Sequence, residues 1–166
     1  MDDVLDGIQM KARDHARIPV SWDSSPHGGF TSGTPWMRVN DDYETWNAAS
    51  QVGKDDSVYT FWKRMIGIRS QYDVLVYGDF TLLFPDHEQL FAYTRSLTSG
   101  TVALVVMNFS KEDVKFEAPV PEIQGDFGYV IGTLSESPSS PTLTAGGGFV
   151  LKGYEGRLYI SNGTSK

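Results

Sequence analysis

The sequence predicts an α+β chain in which one amphipathic helix precedes an antiparallel β-sandwich. Three observations carry this. Apolar residues recur at helical spacing over 56–72, with Val58, Phe61, Trp62, Met65, Ile66 and Tyr72 forming one face. From 73 to 160, short runs rich in Val, Ile, Phe and Tyr alternate with turn-formers, at the spacing of a sandwich. The 166 residues are 40% hydrophobic and 21% charged, as in an ordinary globular protein.

Taken in order, residues 2–10 read as a short, weak helix whose Val4, Leu5, Ile8 and Met10 are the candidates for burial. Residues 11–54 are rich in turn-formers and carry Trp22, Phe30, Trp36 and Trp46. An irregular stretch of this length is uncommon unless it is functional or packed on something, and its large aromatics predict that it packs. Asp55, Asp56 and Ser57 offer an N-cap and negative charge to the start of the main helix, while Lys63, Arg64 and Arg69 suit its C-terminal half. Gly67 inside that helix weakens it by about 1 kcal/mol relative to Ala.

The candidate strands are 74–77, 80–84, 90–95, 102–108, 114–118, 129–131, 149–152 and 157–160. Gly78-Asp79, Pro85-Asp86, Ser99-Gly100, Ser110-Lys111, Gly125-Asp126 and the stretch 135–148 separate them. The run Val102-Ala103-Leu104-Val105-Val106-Met107 is apolar throughout, which predicts a central strand covered on both faces. Residues 161–166 are expected to be disordered.

Charge and residue usage narrow the function. A net charge of -7 argues against nucleic acid and anionic membrane surfaces as partners. There is no cysteine, which removes disulfides and thiolate metal sites. No apolar run approaches the roughly 20 residues of a membrane span, and Met1-Asp2-Asp3-Val4-Leu5-Asp6 lacks the order of a secretory signal. A cytoplasmic location is therefore expected. His15, His27 and His87 show no metal-ligand spacing, and no metal or other cofactor is expected. Gly146-Gly147-Gly148 lacks the Gly-Lys-Ser/Thr ending of a phosphate loop and reads as a hairpin or loop.

One stretch carries more specific information. Arg13-Asp14-His15-Ala16-Arg17-Ile18-Pro19, followed by Val20-Ser21-Trp22-Asp23, resembles a signature of the α-glucosidases of the α-amylase superfamily, the maltase and oligo-1,6-glucosidase group. That signature reads Arg-Asp-(His/Asn)-Ala-Arg-Thr-Pro, two variable residues, then Trp. Ser25–Trp36 is similar to the family's Pro-Asn-Ala-Gly-Phe-Thr followed by Gly-x-Pro-Trp. Val39-Asn40, Asn47-Ala48-Ala49, the helix from Asp56 to Arg69, Val76–Phe80, Phe91–Arg95 and Tyr154-Glu155 continue the likeness in the same order. Ile18, Val20-Ser21 and His27-Gly28 depart from the usual residues.

The resemblance implies an α+β fragment: the last βα unit of a (β/α)8 TIM barrel, followed by an antiparallel β-sandwich C-terminal domain. Residues 1–72 would be the end of the catalytic barrel, namely the long loop after strand eight plus the final helix. Residues 73–166 would be the appended sandwich. Loops at that end of a barrel strand lie on the catalytic face.

It also implies substrate-binding roles for Arg13, Asp14 and Arg17. Arg13 would reach the subsite of the non-reducing glucose, where a guanidinium fork holds hydroxyls and carboxylates together. Asp14 and Arg17 would shape the loop by an ion pair. Retaining hydrolysis needs a nucleophile and an acid about 5 Å apart. The family draws these from mid-barrel motifs that do not occur in this chain.

The adjacent pairs Asp2-Asp3, Asp41-Asp42 and Asp55-Asp56 point in different directions and read as solvated loops and caps. Three readings follow. The first is the C-terminal portion of an α-glucosidase acting on terminal α-linked glucose of maltose- or isomaltose-like oligosaccharides, inactive by itself. The second is a carbohydrate-binding module. The third is a structural module that complements the missing barrel portion.

Overall fold

A computed structural model describes residues 2–11, 13, 16–119, 123–134, 138 and 141–161. The chain divides into two compact units, Met1–Lys63 and Arg64–Lys166.

The first unit opens with α1, Asp2–Lys11. Contrary to expectation, Val4, Leu5 and Ile8 are exposed. Ten residues are too few to hold a helix by propensity alone, and the described part of this unit offers no apolar layer to receive them. Met10 lies outside the residues whose side chains are described. From 16 to 57 the chain is irregular apart from a 3-10 turn at Pro26–Gly29.

That irregular stretch is held by backbone bonds. Trp22 and Asp23 donate to the Gly28 carbonyl at 2.7 and 3.2 Å, and Ala48 and Ala49 donate to Ser21 and Trp22 at 3.0 and 2.8 Å. Asn47 is buried; its side chain donates to the Tyr43 carbonyl at 2.8 Å and accepts from the Ser50 amide at 2.8 Å. The four aromatics expected to pack do not do so within this chain: Trp22, Trp36 and Trp46 are 55–66% exposed, and Phe30 is exposed as well. Turns satisfied by their own polar groups build no apolar face on which these rings could lie.

The helix expected over 56–72 is α2, Val58–Gln71, which begins in the first unit and ends in the second. Ser57 caps it, its Oγ accepting the Thr60 amide at 3.2 Å. Val58, Trp62 and Ile66, four residues apart, make a ridge that is 63–66% exposed.

In the second unit, the run Val74–Tyr77, expected as a strand, is instead α3. Its end carbonyls are taken up by arginines from elsewhere: Arg69 donates to Leu75 O, and Arg95 donates to Gly78 O at 2.8 Å and Val76 O at 3.2 Å. A cation at a helix C-terminus satisfies carbonyls that no helical amide reaches. Gly78 follows because an added Cβ would lie 2.6 Å from Val74 O.

The strands are β1 Asp79–Leu83, β2 Leu90–Ser96, β3 Val102–Asn108, β4 Val114–Glu117, β5 Phe127–Gly132, β6 Thr142–Leu143, β7 Gly148–Leu151 and β8 Gly156–Ser161. Six form one antiparallel sheet in the order β1-β2-β3-β8-β5-β6, and β4 pairs with β7 in a second. Seven of the expected strands are found with small shifts of their ends. Strand β6, inside a stretch read as turn and loop, was not expected. Ser161, expected to be disordered, is the buried last residue of β8, and its Oγ accepts the Val102 amide at 2.9 Å. Residues 162–166 lie outside the described residues.

Alternation of side chains gives the large sheet two faces. One packs Ala92, Leu104, Val106, Phe127 and Tyr159 against Phe116 and Leu151 of the small sheet. On the other face Ala103, Leu158 and Ile160 meet Val74 and Leu75 of α3, with Ile68 and Tyr72 beside them. Strand β3 is thus central and covered on both faces, as its unbroken apolar run predicts.

Candidate functional site

The expected sugar-binding residues fall at the junction between α1 and the irregular stretch. Arg13 is exposed, and its carbonyl accepts the Ala16 amide at 3.0 Å, which starts the turn. Arg17 is exposed too. Asp14, and with it the expected pair to Arg17, lies outside the described residues, as does His15. Two exposed guanidinium groups four residues apart can bind hydroxyls or carboxylates through paired N–H donors.

The next segment is anchored by the buried Pro19 and reaches a tight turn around Asp23. The Asp23 carboxylate accepts both the amide and the hydroxyl of Ser25. The Ser25 hydroxyl, then its amide, holds the Asp23 carboxyl below the ordinary carboxylate range. His27, Gly28 and Gly29 follow at φ of 60°, 64° and 67°. Gly28 is buried, and a Cβ there would meet the Ser21 backbone at 3.1 Å; one on Gly29 would strike the Asp23 carboxylate at 2.7 Å. Glycines let the turn close onto Ser21 and Asp23, while His27 and Phe30 stay exposed.

Asp41 pairs with Arg38 on the surface, and Asp42 and Asp56 are exposed. His87 is exposed in its turn, its Nδ1 accepting the Gln89 and Leu90 amides at 3.2 and 3.1 Å. Among the described residues no three His, Cys, Asp or Glu side chains gather as a metal would require. Among the described residues no helix is long and apolar enough to cross a membrane.

The sequence reading did not foresee the buried polar group that closes the second unit. Glu155 accepts the Lys152 amide at 2.7 Å and Arg157 Nε at 2.6 Å, and the Arg157 guanidinium lies 4.6 Å from the Phe149 ring centre. Burial works against the Arg157 cation, but bonds to Glu155 and Tyr159 raise its pKa above the ordinary value. Asn108 ties the neighbouring turns, donating to Glu112 O at 2.7 Å and Lys152 O at 2.9 Å. An acid and a base two residues apart at a strand start were visible in the sequence; their burial was not. These groups fix the turns of the second unit.

Residues 1–78 match the family described as "Alpha amylase, catalytic domain". An α-glucosidase of Candida albicans is 36% identical over 158 residues, 95% of this chain and 26% of that protein. A probable oligo-1,6-glucosidase of Bacillus subtilis (strain 168) is 36% identical over 99% of this chain and 28% of its own length. The solved structure of a MutB variant in complex with the substrate sucrose is 36% identical, covers 90% of this chain and 26% of its own, and superposes with a TM-score of 0.78. The chain thus spans about a quarter of the length of the relatives it matches.

Proposed function

From a chain related throughout to the α-glucosidases and oligo-1,6-glucosidases of the α-amylase superfamily, we propose a place in a retaining α-glucosidase that removes terminal non-reducing α-linked glucose from maltose- or isomaltose-like oligosaccharides. In this reading residues 1–72 are the last βα unit of a (β/α)8 barrel. Residues 73–166 are the β-sandwich domain that follows, and the whole works in the cytoplasm.

The observation that carries it is the signature beginning at Arg13, within the stretch that matches the catalytic domain. Arg13 holds hydroxyls of the bound glucose, and Asp14 and Arg17 set the loop that presents it. The Asp23 turn, closed over Gly28 and Gly29, leaves His27 and Phe30 exposed.

In this reading the chain by itself supplies no converging nucleophile and acid and hydrolyses nothing. The test is turnover of p-nitrophenyl α-glucoside, first by the purified chain. The second sample adds the part of the Bacillus subtilis relative that precedes its matching quarter. No turnover above the blank is expected from the chain alone. Turnover is expected from the mixture, falling about 100-fold in kcat/KM with Arg13→Lys, where the fork is lost. Turnover by the chain alone would overturn the reading.

A second reading, a module that binds sugar or completes a barrel without cleaving, is favoured by the exposed rings of Trp22, Trp36 and Trp46. A saturable change of tryptophan fluorescence with maltose, in the absence of turnover from the mixture, would select it.

A further inference from the structure

Two stretches of the chain, Asn108-Phe109-Ser110 and Asn162-Gly163-Thr164, carry the Asn-x-Ser/Thr motif that accepts N-linked oligosaccharide. Asn162 lies outside the described residues. Asn108 ends β3 and alternates with Leu104 and Val106, so its side chain points between the two sheets. The motif is expected on a surface loop; here its asparagine is 3% exposed.

Both hydrogens of the Asn108 amide are used. Nδ2 donates to Glu112 O at 2.7 Å and to Lys152 O at 2.9 Å, while Oδ1 accepts the Ser110 amide at 2.9 Å and the Ser110 hydroxyl at 2.8 Å. The Asn108 backbone amide donates to Glu155 O at 2.8 Å. A sugar on Nδ2 replaces one of those two hydrogens by a pyranose ring, in the place that the Lys152 or Glu112 carbonyl fills. A close-packed interior has no room for it, and the turn between β7 and β8 cannot shut over it.

The groups that bury Asn108 arrive late. Lys152 follows it by 44 residues, which take roughly 2–9 s to synthesise at about 5–20 residues per second. Through that interval the nascent Asn108 has neither the Lys152 nor the Glu155 carbonyl to hold it.

We propose that Asn108 is a folding-gated acceptor of N-linked oligosaccharide: it is open only while the chain is incomplete, and transfer there and closure of the second unit exclude each other. In the transfer, Nδ2 attacks the anomeric carbon of a lipid-linked oligosaccharide. The bond from that carbon to the diphosphate breaks, the lipid diphosphate leaves with the electron pair, and one Nδ2 proton passes to the transferase. Only the geometry of the second unit enters, so the hydrolase reading can stand or fall separately.

The test uses the full chain with Asn162→Gln, placed behind a signal sequence and an Asn-x-Thr control tag and translated in rough microsomes. A glycan on the tag reports entry. A second glycan, on Asn108, is expected during translation and should be absent from Ser110→Ala. The same chain, folded first and then given solubilised transferase and lipid-linked oligosaccharide, should fill the tag and leave Asn108 bare. Leu158→Asp sets a charge in the buried middle of β8 and keeps the second unit open. It should be modified after release about 1,000-fold faster than the parent, the inverse of a folded domain's open fraction. Trypsin should cut the second unit at least about 10-fold faster when Asn108 is glycosylated.

A filled tag with a bare Asn108 during translation overturns the proposal. So does transfer to the folded parent at the rate of Leu158→Asp, and so does equal resistance to trypsin with and without the glycan.

Discussion

All four tryptophans lie in Met1–Lys63 and all four are exposed, whereas the aromatic rings of Phe116, Phe127 and Tyr159 in Arg64–Lys166 are fully buried. Among the described residues, Pro19 and Val39 are the two buried apolar side chains of the first unit. The difference teaches that the two units are held by different forces. The second is organised by burial, at about 1.5–3 kcal/mol for each large side chain. The first is organised by local hydrogen bonds around Asp23, Gly28 and Asn47, each of which nets about 1 kcal/mol. A unit of the first kind keeps a shape that a partner can use, while its own stability stays low.

The broadest way to break this contrast is hydrogen exchange on the purified chain. Amides of β3 and β8 should exchange only through global opening, at about 5–15 kcal/mol, while those of residues 16–57 should exchange through local opening near zero. Equal protection in the two units would remove the comparison. Next in size is Glu155→Ala, which strands the Arg157 guanidinium, 11% exposed, and frees the Lys152 amide. Urea unfolding should show a loss of about 3–5 kcal/mol; a loss below about 1 kcal/mol would mean that the pair does not hold the second unit together.

Trp62→Gln should change stability by no more than about 0.5 kcal/mol, because the ring is already in water. A loss near the several kcal/mol typical of a buried Trp would show that the ridge on α2 is packed after all. The smallest effect concerns Asp23. Its carboxyl is held low in the folded chain, so its contribution is present above the ordinary Asp value of about 3.9 and is lost as pH falls through the lowered one. Tryptophan fluorescence followed from pH 6 to 2 should therefore show a step below about pH 4, and Asp23→Asn should remove it.

Strands were legible where alternation or an unbroken apolar run left one pairing possible, as in Val102–Asn108, whose ends match the expectation residue for residue. Val74–Tyr77 was misread because four apolar residues, two of them β-branched, look like a strand. What makes them a helix is Arg95, nineteen residues away from the carbonyl it satisfies. No local rule sees that contact. Thr142–Leu143 was hidden by the glycines and prolines around it, and two residues pairing with β5 leave no periodicity to detect.

The aromatic loop was legible as irregular; its rings are exposed because burial needs a partner surface and the loop's own backbone builds none. Of the residues expected to bind sugar, Arg13 and Arg17 lie at the surface. The Asp23-Ser25 turn had a local signal, an Asp followed by Ser-Ser-Pro.

One consequence follows from the strand order. Strand β8 is made after every other strand, yet it sits between β3 and β5 and hydrogen-bonds to both. During synthesis the emerging hairpin β1-β2-β3 and the pair β5-β6 must wait, side by side and unjoined, until Gly156–Ser161 leaves the ribosome and zips them into one sheet. A cut or stall between Lys152 and Gly156 would therefore split the large sheet down its middle and leave two sticky edges where the finished molecule has none.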